Sequence, residues 1–152
     1  MPYFAKQHSL FRAYDIRGSR QYFTDDFVQA LGYAFAHLYR IQQDSDNKKN
    51  IVVIGCDVRH DSDVIAQNLA TILIQCGLQV IQLGLITTPM MVFWAEQYQG
   101  HGIIVTASHS AKDILGIKWL VNHQSPSVED IQTLYQQVIH QQLIERSLDN
   151  SM

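Results

Sequence analysis

The sequence predicts an α/β domain of three layers, α/β/α, built on a mixed, mainly parallel sheet of about four strands. Two observations predict it. Short apolar runs of strand length at residues 51–56, 79–83 and 103–105 alternate with stretches whose apolar residues recur at helical spacing. The helical stretches open on Ser or Thr, and Gly follows where two of them stop. Such alternation gives parallel strands joined by right-handed crossovers.

Taken in order, residues 9–20, SLFRAYDIRGSR, mix aromatic, basic and acidic side chains in a way that suits an extended strand or loop laid against the domain. Thr24 is placed to cap a helix that reaches about Tyr39, with Phe27, Leu31, Ala34, Phe35 and Leu38 on one face. Residues 42–50 form a polar loop, where Asp44, Ser45, Asp46 and Asn47 favour turns. Ser62 is the expected cap of a helix carrying Ile65, Leu69, Ile72 and Leu73, and Gly77 stops it. Thr88 followed by Pro89 signals a short helix to about Tyr98, closed by Gly100. Residues 117–121 lie too close to the preceding strand for a crossover, so antiparallel pairing is expected there. Ser127 and Asp130 make a shortened capping box for a last helix bearing Ile131, Leu134, Tyr135 and Val138.

The 152 residues suit one domain, residues 1–150, large enough to bury a core without disulfide or metal. Apolar residues at 47% and charged residues at 16% exclude a disordered chain. A net charge of -3 carries no nucleic-acid footprint, and no run approaches membrane-spanning length, so a cytoplasmic protein is expected. Cys56 and Cys76 lack metal-ligand spacing and read as buried, reduced thiols.

The chemistry concentrates at residues 102–118, GIIVTASHSAKDILGIK. Ile103, Ile104 and Val105 read as a strand buried on both faces, so Ser108 follows its carboxyl end, the edge where open α/β sheets bind ligands. A serine hydroxyl is a weak nucleophile unless a base takes its proton or its product is stabilised. His109 is adjacent, Lys118 returns on the next strand, and Arg17 and Arg12 add positive charge if the leader lies over the same edge. That donor set suits a phosphate better than a neutral acyl group, because phosphoryl transfer needs alignment and charge neutralisation.

FRAYDIRG at 11–18, GCDVR at 55–59 and TASHSAKDILGIK at 106–118 together resemble the first domain of the α-D-phosphohexomutases, the phosphomannomutase and phosphoglucomutase family. The resemblance covers nearly the whole chain. It implies a phosphoserine at Ser108 that passes its phosphoryl group to a hexose phosphate through a bisphosphate intermediate. Lys118 matches the lysine implicated in proton transfer and His109 a phosphate-contacting histidine. Tyr14 and Arg17 match cleft-lining residues, while Asp57 and Arg59 organise the strand end. The Ser108 phosphate would be one ligand of Mg2+. The family's enzymes have four domains, so the partners implied are a hexose phosphate and the missing phosphohexomutase domains, with magnesium ligands and sugar selection outside this chain.

Two departures stand out. Ser110 and Ala111 replace the usual Asn-Pro after the histidine, and Ile114 and Leu115 stand where Tyr-Asn is common. Asp61 with Asp63, and Asp44 with Asp46, form D-x-D pairs that read as solvated surface rather than a cation site. The isolated chain is expected not to turn over, and an exposed domain interface would favour self-association. The alternative is a noncatalytic binding or assembly module that retains the fold. Serine hydrolysis is weaker, since no G-x-S-x-G elbow surrounds Ser108.

Overall fold

The computed structural model describes residues 4–42, 50–58, 61–106 and 113–150, from residue 142 onward by backbone alone. A short 3-10 turn, Ala5–Leu10, precedes β1 (Ile16–Ser19), and α1 (Asp25–Arg40) follows. The chain continues as β2 (Ile51–Cys56), α2 (Ser62–Gln75), β3 (Gln79–Leu85), α3 (Thr88–Glu96), β4 (His101–Val105), β5 (Ile114–Leu120) and α4 (Val128–Asn150). These strands form a five-stranded sheet in the order β1-β5-β4-β2-β3. β2 pairs parallel with β3 and β4, whereas β5 pairs antiparallel with β4 and β1. The sheet is therefore mixed, as expected, with one strand more than the pattern announced. The addition is β1, whose four residues are too short to show a period.

The caps show how closely local sequence sets each start. Thr24 accepts a hydrogen bond from the Phe27 amide, as its position predicts. For α2 the expectation is corrected: Asp61, not Ser62, is the capping residue, and its backbone is left-handed at φ 71°. Ser62 instead starts the helix, fully buried. For α3 the cap is Thr87, which accepts from the Met90 amide, so Thr88 and Pro89 lie inside the first turn. The shortened box before α4 closes in both directions: the Asp130 amide donates to Ser127 Oγ at 3.1 Å, and the Ser127 amide donates to Asp130 Oδ2 at 2.9 Å. Gly77 adopts φ 93° behind α2, the left-handed geometry that a side chain would strain.

The two sheet faces are covered unequally. On one face α1, α2 and α4 bury Phe27, Leu31, Phe35, Leu69 and Val138 against Ile54, Ile103, Ile117 and Trp119. Each such side chain contributes roughly 1.5–3 kcal/mol by leaving water. Phe35 meets Trp119 edge-on with ring centres 5.2 Å apart, and the buried Tyr39 hydroxyl donates to the Gly102 and Leu120 carbonyls across the β4–β5 pair. On the other face α3 alone packs Met91 and Ala95 onto Val53, Ile104 and Leu120. Cys56 is buried and Cys76 only half-buried, both as free thiols. No helix among the described residues is long and apolar enough to cross a membrane.

Candidate functional site

The carboxyl ends of β2 and β4 share one rim, because the two strands are parallel neighbours. β5 begins at that rim and β1 ends there, since Ser19 pairs with Ile114. Residues 107–112, the segment holding Ser108 and His109, lie outside the described residues. Its two ends are nevertheless pinned. On the β4 side the Thr106 amide donates to the Gly116 carbonyl at 2.8 Å, and Thr106 Oγ1 donates to Asp57 Oδ2 at 2.8 Å. On the β5 side the Arg20 amide donates to the Asp113 carbonyl at 2.8 Å. Strand ends fixed by hydrogen bonds to three other segments hold the start and finish of the serine loop to one place on the rim.

Register then decides which side chains share a face. Side chains alternate along a strand, so Gly116 and Lys118 face the side opposite Leu115, Ile117 and Trp119. Arg17 pairs with Gly116, and two residues further along the same register Asp15 falls opposite Lys118. The geometry bears this out. Lys118 Nζ donates to Asp15 Oδ2 at 3.1 Å, with the Asp15 side chain 9% exposed and that of Lys118 37%. Glycine at 116 keeps the backbones close, since a Cβ there would stand 2.8 Å from the Thr106 carbonyl oxygen. Arg12 Nε donates to the Arg17 carbonyl at 3.2 Å, and its amide donates to the Asp15 carbonyl at 2.8 Å, which fixes the turn that presents Tyr14. Tyr14 is 80% exposed. The leader thus lies against β5 and brings Arg17 and Lys118 onto one sheet face.

Other predicted residues fall elsewhere. Arg59 lies outside the described residues, so its expected part with Asp57 in organising the strand end is not described; Asp57 accepts from Thr106. Of the D-x-D pairs, Asp61 forms an ion pair with Arg20 at 3.2 Å and Asp63 accepts from the Val64 amide. Asp44 and Asp46 are outside the described residues. Among the described residues no three His, Cys, Asp or Glu side chains converge to hold a metal ion.

Three residues were missed by sequence reasoning. Asp15 has a signal in hindsight: it sits two before Arg17, hence on the same face of an extended segment. Thr106, the first residue of the TASH motif, is placed by its strand-end position. Arg20 gives no signal, because its partners Asp61 and Asp113 are remote in sequence.

Electrostatics separate the rim into two sides. At the end of β2, burial and then the charges of Asp63 and Asp57 push the Cys56 thiol up, so it stays protonated and is no nucleophile at neutral pH. Among the described residues, the cations Arg17, Arg20 and Lys118 lie on or next to β1 and β5. An open cleft of about 520 Å³ lined by Ser19, Arg20, Asp61 and Asp113 adjoins the point where the loop rejoins the sheet. A more apolar cavity of about 460 Å³, lined by Ala34, Leu38, Trp119 and Pro126, sits at the opposite end of β5 and is remote from this chemistry. Lys118, oriented by Asp15, and Arg17 on the same sheet face form a pair of cations that can attract an oxyanion.

Comparison with known proteins places the fold in a family. Residues 8–144 match the family model described as phosphoglucomutase/phosphomannomutase, alpha/beta/alpha domain I. A phosphomannomutase of Vibrio cholerae is 34% identical over 124 residues, covering 80% of this chain and 26% of that protein. A phosphoglucosamine mutase of Alkaliphilus metalliredigens is 33% identical, covering 80% of this chain and 26% of its own length. The chain thus spans about a quarter of the length of the curated relatives it matches. Among solved structures, a phosphoglucomutase/phosphomannomutase family protein of Burkholderia thailandensis superposes with a TM-score of 0.75 at 28% identity, over 87% of this chain and 30% of that one.

Proposed function

The chain belongs to the phosphoglucomutase/phosphomannomutase family as its α/β/α domain I, and from that premise we propose that it is the phosphoserine-carrying domain of a phosphohexomutase. The reading is supported above all by one observation: Arg17 and the Asp15-held Lys118 share a sheet face beside the strand end that launches the Ser108 loop. In the proposed step the P–O bond to Ser108 Oγ breaks as a bond from phosphorus to a sugar hydroxyl oxygen forms. The sugar hydroxyl loses its proton to water, the departing serine oxygen takes one from the Lys118 ammonium, and the neutral amine regains a proton from water. Return of the other phosphoryl group of the bisphosphate to Ser108 reverses those changes and leaves the phosphate on a different sugar oxygen. Arg17 and His109 neutralise the transferring group, and Tyr14 lines the entrance.

Magnesium is assigned no step here. Asp15 is committed to Lys118 and Asp61 to Arg20, so the described residues do not assemble a cation site, and this chain's contribution would be a phosphate oxygen on Ser108. The hexose phosphate, the remaining family domains as partners and a cytoplasmic location belong to the same proposal, the last supported by two free thiols.

The test is transfer. With the remaining family domains added, incubation with a hexose bisphosphate labelled in phosphorus should label wild-type protein at Ser108 and leave Ser108→Ala unlabelled. No labelling with the remaining family domains added favours the noncatalytic module, which the altered Ser110 and Ala111 suggest.

A further inference from the structure

Arg20 belongs to none of the motifs that carry the family resemblance, yet it touches two segments of the rim at once. Its amide donates to the Asp113 carbonyl at 2.8 Å, where the serine loop returns to the sheet. Its guanidinium pairs with Asp61 Oδ2 at 3.2 Å, and Asp61 ends the β2–α2 connection and caps α2. The same two segments also meet where they begin. Asp57, the first residue after β2, accepts from Thr106 Oγ1 at 2.8 Å, and its amide donates to the Val105 carbonyl at 3.0 Å. The serine loop and the β2–α2 connection are thus joined at their starts by Asp57 and Thr106, and at their ends through Arg20.

We propose that Arg20 is a positioning residue for phosphoryl transfer, an inference that rests on the phosphoserine reading: its contacts to Asp113 and Asp61 fix the return end of the Ser108 loop against the start of α2. Residues 107–112, ASHSAK, include no proline, so no φ in the segment is set covalently and its placement depends on its anchors. The far anchor is well defined. Asp61 holds φ 71°, a left-handed backbone that few side chains other than Asn and Asp adopt. Its carbonyl accepts from the Ile65 amide at 3.0 Å, which ties the pair to the first turn of α2. Arg20 therefore acts through geometry rather than by touching the phosphate, and a displacement of about 1 Å at a reacting group can cost about a hundredfold in rate. The pair is partly open to water, with side chains 35% and 41% exposed beside a cleft of about 520 Å³, so salt reaches it. A pair this exposed shifts populations by up to about fivefold, which sets the size of the effect.

The test is the rate at which a phosphorus-labelled hexose bisphosphate labels Ser108, using the full chain with the remaining family domains added. At saturating bisphosphate, Arg20→Gln and Asp61→Asn should each slow labelling about fivefold with the half-saturating concentration unchanged, and the double variant should be no slower than either. Gln keeps the Arg20 amide and Asn tolerates the left-handed backbone of Asp61, so the substitutions spare the main-chain contacts. Arg20→Lys keeps the charge and should recover most of the rate. Raising salt from about 0.05 M to about 0.5 M should close the gap between wild type and Arg20→Gln. A wild type that takes no label overturns the phosphoserine reading and this inference with it. A labelled wild type that Arg20→Gln matches overturns the inference alone, as do additive losses in the double variant or a loss that Arg20→Lys does not relieve.

Discussion

Gly116→Ala is the substitution whose cost follows most directly from the geometry. A Cβ at this position would come within 2.8 Å of the Thr106 carbonyl oxygen and 3.1 Å of the Ile16 carbonyl oxygen. Both are backbone atoms, so no flexible side-chain tip can swing aside. Relief requires β1 or the β4 exit to move away from β5. Overpacking of this kind costs about 1–3 kcal/mol. For a domain of this size each kcal/mol lowers Tm by about 2–4 °C, so a fall of about 6 °C is expected at the middle of both ranges. The assay is a thermal melt followed by circular dichroism, with hydrogen exchange at Arg17 and Thr106 reporting which anchor gives way. The consequence is functional, because β1 carries Arg17 and Thr106 starts the serine loop. A Tm within about 1 °C of wild type would refute the argument that β5 is locked between these two carbonyls.

Asp15→Ala removes the buried partner of Lys118 and should cost about 1–2 kcal/mol by chemical denaturation, below the figure for a fully buried pair because Lys118 is more than a third exposed. Ser127→Ala removes the Oγ that accepts from the Asp130 amide while its own amide stays bonded to Asp130 Oδ2, and should cost about 1 kcal/mol, with fraying confined to the first turn of α4 by hydrogen exchange. His101 is buried, accepts from the Asn122 amide through Nδ1, and faces His123 and Tyr39. Burial first and His123 second lower its pKa to about 4, so the unfolded chain takes up the proton before the folded one does. Its stabilising contribution is complete above about pH 6.5 and is lost as pH falls toward 4, at up to about 1.4 kcal/mol per pH unit. Melting at pH 7 and pH 5 should show the decline, and His101→Gln should flatten it.

The elements legible in the sequence were those long enough to repeat a pattern. β2 matched its expected span because six consecutive residues combine apolar character with a polar boundary. The helix α1 matched because its cap and its stripe agree. β1 stayed undecided between strand and loop, since Ile16–Ser19 offers two inward and two outward positions and its partner lies a hundred residues away in β5. The α3 cap was misplaced by one residue because Thr87 and Thr88 are chemically identical candidates, and only backbone geometry separates them. At α2 the left-handed Asp61, drawn toward Arg20, displaced the serine that composition favours. In the site, the association of Arg17 with Lys118 followed from the idea that the leader lies over the strand edge. The Asp15–Lys118 bond did not follow, because cross-strand register is a tertiary fact that single-sequence periodicity does not contain.

Peptide-level mass spectrometry of the protein purified from cells tests the central claim most directly. The account predicts one phosphoryl group on the peptide containing Ser108, its loss in Ser108→Ala, and lower occupancy when Lys118 or Arg17 is replaced. An unmodified Ser108 in cell-derived protein that also stays unmodified in the presence of a hexose bisphosphate and the remaining family domains would contradict it.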